Sequence, residues 1–137
     1  MKKIISLVIV LTLCLSLCAC SGDPLEKAIE EADALVGKWH NEGYGGCIYK
    51  GEYIKEKDGF AVSMYIVYAR YPATVDALEV GAGFVKNTMT RTMLDELYPQ
   101  LVNVFNGLDV SIAFILSDQN GKNTYSTILD GEVEYYK

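Results

Sequence analysis

The chain holds little of the chemistry that usually announces an activity. Its 137 residues include a single histidine, His40, and a single tryptophan, Trp39. A structural zinc site takes four nitrogen or sulfur ligands. Here only His40, Glu42 and Cys47 cluster, within eight residues, and no fourth ligand stands nearby. The His40-x-Glu42 pair lacks the Pro-Cys-x-x-Cys partner that zinc deaminases require. Basic residues are scarce too, 12 against 18 acidic, for a net charge of −6. Phosphate backbones repel such a chain, so nucleic acid is a poor partner and none is expected. No internal repeat or low-complexity segment suggests a second domain. The longest apolar-rich run, Ile4 to Leu17, covers roughly 14 residues, short of the ~20 that a permanent membrane span needs.

That short run nevertheless has a recognisable form. Lys2 and Lys3 precede it, and small residues rather than a basic stop-transfer cluster follow it. This is the layout of an export signal. At its end, Leu17-Cys18-Ala19-Cys20 resembles a bacterial lipobox, with an aliphatic residue three before the modified cysteine and a small one just before it. Cys18 does not fit as the target, because Leu17 would occupy the position that takes Ala, Gly or Ser. The resemblance implies cleavage after Ala19 and a thioether-linked diacylglyceryl group on Cys20. Two acyl chains, at about 0.8 kcal/mol per buried methylene, give firm attachment to a bilayer. Residues 1–19 are then a signal peptide and residues 20–137 one globular domain, about −8 in charge once Lys2 and Lys3 leave. Cys14 and Cys18 leave with the signal, Cys20 is blocked, and Cys47 is the one thiol left. No intramolecular disulfide is possible, so the domain folds by its core alone.

The mature part opens on a helix start. Asp23 suits the cap, Pro24 the first helical position, and Glu26 follows three residues after the cap. Leu25, Ala28, Ile29, Ala32, Leu35 and Val36 recur at helical spacing, and Gly37 is the predicted stop. Cys47 to Ile54 reads as a strand, Lys57-Asp58-Gly59 as a hairpin turn, and Phe60 to Tyr71 as the return strand. Thr74 to Asn106 reads as helical, weakened at Gly81 and Gly83 and kinked or split near Asp95 by Pro99. Its apolar stripe runs through Phe84, Val85, Met89, Met93, Leu97, Leu101, Val104 and Phe105. Val110–Leu116 and Tyr125–Leu129 form a second hairpin across Asn120-Gly121, and Glu132–Tyr136 follows Asp130-Gly131 as a short last strand.

The predicted fold is α+β, an antiparallel sheet of four or five strands with helices on one face, in the order α-β-β-α-β-β. Ile66 and Leu97, mid-stripe in the strongest strand and helix, are expected in the core between the layers. Signal and domain together resemble small lipoproteins of unassigned function from Gram-positive bacteria. That resemblance implies a lipid-anchored protein on the extracytoplasmic face of the cell membrane, and it brings no activity.

Three stretches carry candidate chemistry. Trp39 to Cys47 offers a Cys47–His40 pair with Glu42, the basis of a Cys/His-dependent envelope enzyme, but it has no orienting group or oxyanion hole. The preferred reading is a loop with Trp39 in the core and Cys47 packed as a small apolar residue. Asp118, Asn120 and Asn123 offer oxygens, yet a calcium loop would need glycine at Asn123 and glutamate at Leu129. These residues read as a polar turn, so no metal or cofactor is expected. Gly81 and Gly83 match only part of a dinucleotide fingerprint.

Ten tyrosines remain, most of them in predicted strands. One layer of helix covers one sheet face, leaving the other open. Alternation puts Ile48 and Ile54 on one face of the first strand and Tyr49 and Tyr53 on the other. The isoleucines suit the covered face, so Tyr49 and Tyr53 are expected outward, flanking a gap at Gly51, as a platform for a protein or glycan partner. The sequence is therefore read as a non-catalytic binding or interaction module; the alternatives are the Cys/His-dependent enzyme and a purely structural envelope protein.

Overall fold

The computed structural model describes residues 23–56 and 59–136. The signal peptide, the lipobox and Cys20 lie outside the described residues. The first helix, α1, spans Pro24–Glu42, and the Asp23 carboxylate accepts the Leu25 N–H at 3.1 Å. Its buried stripe is Ala28, Ala32, Val36 and Trp39. The expected stop at Gly37 is corrected, because the helix continues to Glu42 and ends on Gly43, whose φ of 60° is the left-handed cap. A mid-helix glycine costs about 1 kcal/mol. Burying Trp39 two residues further on outweighs that cost. A Cβ at Gly37 would meet nothing within 4 Å. Gly37→Ala is therefore expected to stabilise the domain by about 0.5–1 kcal/mol, read as a raised urea midpoint with an unchanged slope. A lowered midpoint would contradict a helix that runs through this residue.

A short 3₁₀ turn, Tyr44–Gly46, leads into β1 (Cys47–Lys55), which pairs antiparallel with β2 (Ala61–Ala69). Strands β3 (Ser111–Ser117), β4 (Thr124–Leu129) and β5 (Glu132–Tyr135) follow, and the five-stranded sheet keeps chain order. The hairpin between β4 and β5 turns on Asp130 and Gly131, both at positive φ. Asp130 also accepts the Ile112 N–H at 2.9 Å, which tethers the turn to β3.

The architecture is a mixed α/β one with a mostly antiparallel sheet, but the expected order α-β-β-α-β-β is not what forms. The helical stretch divides into α2 (Pro72–Glu79), α3 (Gly83–Thr92), a π turn (Met93–Leu97) and α4 (Tyr98–Val104). It returns the chain to the start of β2, so β3 runs parallel to β2. A long helical crossover is the connection that parallel neighbours need. Gly81, at φ 76°, breaks the stretch between α2 and α3. Pro99 acts where expected: its missing N–H removes the bond to Asp95, and the backbone widens there. Tyr98 instead donates to the Met93 carbonyl, five residues back. The break at Gly81 also resets the stripe. Val85, Met89 and Met93 turn inward, while Phe84, one residue out of phase, is 83% exposed.

Burial alternates along the strands and shows which sheet face is covered. In β2, Ala61, Ser63, Tyr65, Val67 and Ala69 are buried, whereas Val62, Met64 and Ile66 are half-exposed. One covered row reads Gly51, Tyr65, Phe114, Ile128 and Val133 across the five strands. α1 reaches this face through Trp39, whose ring lies 5.9 Å from that of Tyr49. α3 reaches it through the Thr90 hydroxyl, 2.7 Å from that of Ser126. Leu97 is fully buried as expected, but Ile66 is on the open face and the expectation for it is corrected. Its row is Lys50, Ile66, Ile115, Thr127 and Glu134, flanked by a charge at each edge strand. A face edged by charges stays in water.

Candidate functional site

The outward placement expected for Tyr49 and Tyr53 is corrected by the same alternation. Tyr49 is 4% exposed, on the helix-covered face, and its hydroxyl donates to the Tyr44 carbonyl at 2.8 Å. Burial, with the adjacent Cys47 second, pushes its ionisation well above the ordinary tyrosine range. Tyr53 shares that face, half-buried, and its hydroxyl has no partner among the described residues. The gap at Gly51 is filled by the chain itself. A Cβ there would sit 3.1 Å from Cε1 of Tyr65, so the glycine lets a neighbouring ring lie flat on its strand. The signal for this arrangement was present in the sequence. Lys50 and Glu52 share the isoleucines' face, and a face with two charges on consecutive positions belongs to solvent.

The Trp39–Cys47 stretch is packed rather than poised. Cys47 is 4% exposed, and burial pushes its thiol up to about 11 despite an opposing hydrogen bond with Tyr49. Nδ1 of His40 accepts the Tyr49 backbone N–H at 3.4 Å, a long contact that gives that nitrogen a backbone role. Glu42 is exposed at the end of α1 and bonded to neither residue. Among the described residues, no group of three His, Cys, Asp or Glu side chains could hold a metal ion. Asp118 organises its turn as a structural residue: one oxygen accepts the Lys122 N–H at 2.8 Å and the other the Asn123 amide at 2.9 Å. Its slight burial acts to raise the carboxyl, but these bonds outweigh it and hold the group below the usual range.

A different site emerges at the carboxyl ends of β2 and β3. The parallel pairing brings these two ends side by side, α2 starts just after β2, and the β3–β4 turn hangs beside it. Between them lies a cleft of about 330 Å³, walled by Tyr68, Val75, Asp76, Glu79, Asp118 and Tyr125. That volume is at the lower end of the range typical of small-ligand sites. Tyr125 is 9% exposed, and its hydroxyl has no hydrogen-bond partner among the described residues. Its ionisation is raised by burial first, then by the negative charges of Asp118 and Glu79. Arg70 also lines the cleft, but its guanidinium lies against Gly43 at the carboxyl end of α1, where the helix dipole is negative.

No family model, curated protein or solved structure matches this chain. Function therefore rests on geometry. The Arg70 N–H donates to the Gly46 carbonyl at 2.8 Å, so α1 ends at the cleft's end of the sheet. A helix of 19 residues is about 28 Å long, so α1 begins near the opposite end. Sequence reasoning missed the cleft because its walls come from segments some fifty residues apart. Tyr125 looked like one more strand tyrosine.

Proposed function

We propose that this chain is a lipoprotein anchored to the membrane through Cys20, whose domain is an extracytoplasmic, non-catalytic binding module. The observation that carries the binding role is Tyr125, a residue of the cleft wall whose hydroxyl is buried without a partner among the described residues. Leaving a buried hydroxyl unsatisfied costs about 1–3 kcal/mol, a cost that a bound polar group removes. Anchoring rests on the lipobox. Cys20 is three residues before Asp23, a chain reach of about 11 Å at most, so the lipid is tied to the start of α1. The cleft, at the other end of that helix, then faces away from the bilayer. The buried thiol of Cys47 weighs against the Cys/His-dependent alternative, since a nucleophile must be reached by its substrate.

Intact-mass measurement of the mature protein tests the anchor. Cys20→Ala is expected to leave the chain unprocessed and without the diacylglyceryl mass, whereas Cys18→Ala leaves the lipidated, cleaved product unchanged. A wild-type protein found in the detergent-free soluble fraction with no added mass would end this reading.

A further inference from the structure

We infer that the cleft at the carboxyl ends of β2 and β3 binds an organic cation through an ammonium group. This rests on reading the cleft as the binding site, and it adds the chemical class of the ligand. The lining supplies acceptors in excess. Asp76 and Glu79 stand three residues apart on α2, on the same side of that helix, and among the described residues no hydrogen bond or ion pair holds either carboxylate. The unpartnered Tyr125 oxygen lies within the electrostatic reach of Glu79 and Asp118. An ammonium carries three donors and no acceptor, which suits two carboxylates on one side of α2 beside a tyrosine oxygen.

Charge selects the cation over a neutral polyol. Three carboxylates line the cleft against one guanidinium, and that guanidinium is turned to the end of α1. Two of the acidic oxygens are already committed, because Asp118 holds its own turn, so Asp118 contributes field rather than contact. The apolar part of the ligand meets Val75, Leu78 and the ring of Tyr68. A second depression that Tyr125 also lines holds Lys86, whose ammonium donates to the Tyr136 carbonyl at 2.8 Å and is engaged there.

The test is calorimetric titration of the mature lipidated protein, in neutral-detergent micelles, with spermidine at about 0.15 M salt, where exposed charges are screened beyond about 8 Å. Saturable binding is expected. The double variant Asp76→Asn/Glu79→Gln should weaken it by about tenfold or more, the loss that goes with an unmade charge-assisted hydrogen bond. Glu30→Gln/Glu31→Gln removes the same charge from α1 and should weaken it by less than about twofold. Tyr125→Phe, with an unchanged circular dichroism spectrum, should weaken it by at least about threefold. Equal weakening by the two double variants would mean long-range attraction only and overturns the assignment. Glucose, titrated in parallel, separates the two levels of the claim. If glucose binds in a manner lost in Tyr125→Phe while spermidine does not, the cleft remains the binding site and the cation class falls. If neither binds, both fall.

Discussion

Truncating Leu97 to alanine is expected to destabilise the domain by about 2–5 kcal/mol, whereas Ile66→Ala is expected to cost about 1 kcal/mol or less. Leu97 is fully buried in the π turn and belongs to the main core cluster. Removing one methine and two methyl carbons there forfeits their transfer energy and leaves a hole that neighbours fill only in part. Ile66 faces solvent in a row edged by Lys50 and Glu134, so water occupies the space its side chain vacates. Urea melts of the two variants give the contrast directly. Equal costs would mean that helices cover the face carrying Ile66.

Raising the pH above about 9 is expected to destabilise the fold in stages. Burial lifts Cys47 from 9.0 to about 11 and Tyr65 from 10.0 to about 12 in the folded protein. Tyr49 is lifted further still. Each group keeps its proton in the folded state at a pH where the unfolded chain has already released it. Their contribution is complete below the unfolded values and is lost as pH rises from 9 to 11 for Cys47 and from 10 to 12 for Tyr65. Two units correspond to on the order of 2–3 kcal/mol per group, enough together to approach the whole stability of a small domain. Stability curves measured between pH 8 and 12 should fall throughout that window, and Cys47→Ala should remove the part between 9 and 11. At pH 8 the native thiol is expected to resist iodoacetamide and to react only in denaturant. Rapid labelling of the native protein would contradict both the burial and the pH dependence.

Features written in local chemistry were legible in the sequence. Asp23 and Pro24 start α1 because a side-chain acceptor and a missing N–H answer the same unpaired helix end. Gly59 and the Asp130-Gly131 pair turn the chain where positive φ is needed. Pro99 disturbs the helix at Asp95 because a ring nitrogen has no proton to give, whatever surrounds it. The sequence alone therefore determined most of the elements and the positions of their turns.

How they meet was legible only in part. Alternation sorts Tyr49 from Ile48 but is silent on which set the helices cover, and the hydrophobicity of the isoleucines pointed the wrong way. Lys50 and Glu52 decide it, because two charges cannot be drawn under a helix without partners, whereas a tyrosine can be buried if its hydroxyl finds a carbonyl, as Tyr49 finds Tyr44. Gly37 likewise reads as a stop until Trp39, two residues beyond it, is seen packed on Tyr49. The parallel pairing of β2 with β3 follows from where the helical crossover delivers the chain, a long-range outcome that no local signal encodes. The cleft depends on that pairing. Tyr68, Asp76 and Tyr125 are brought together only because two strands end side by side with a helix starting at one of them.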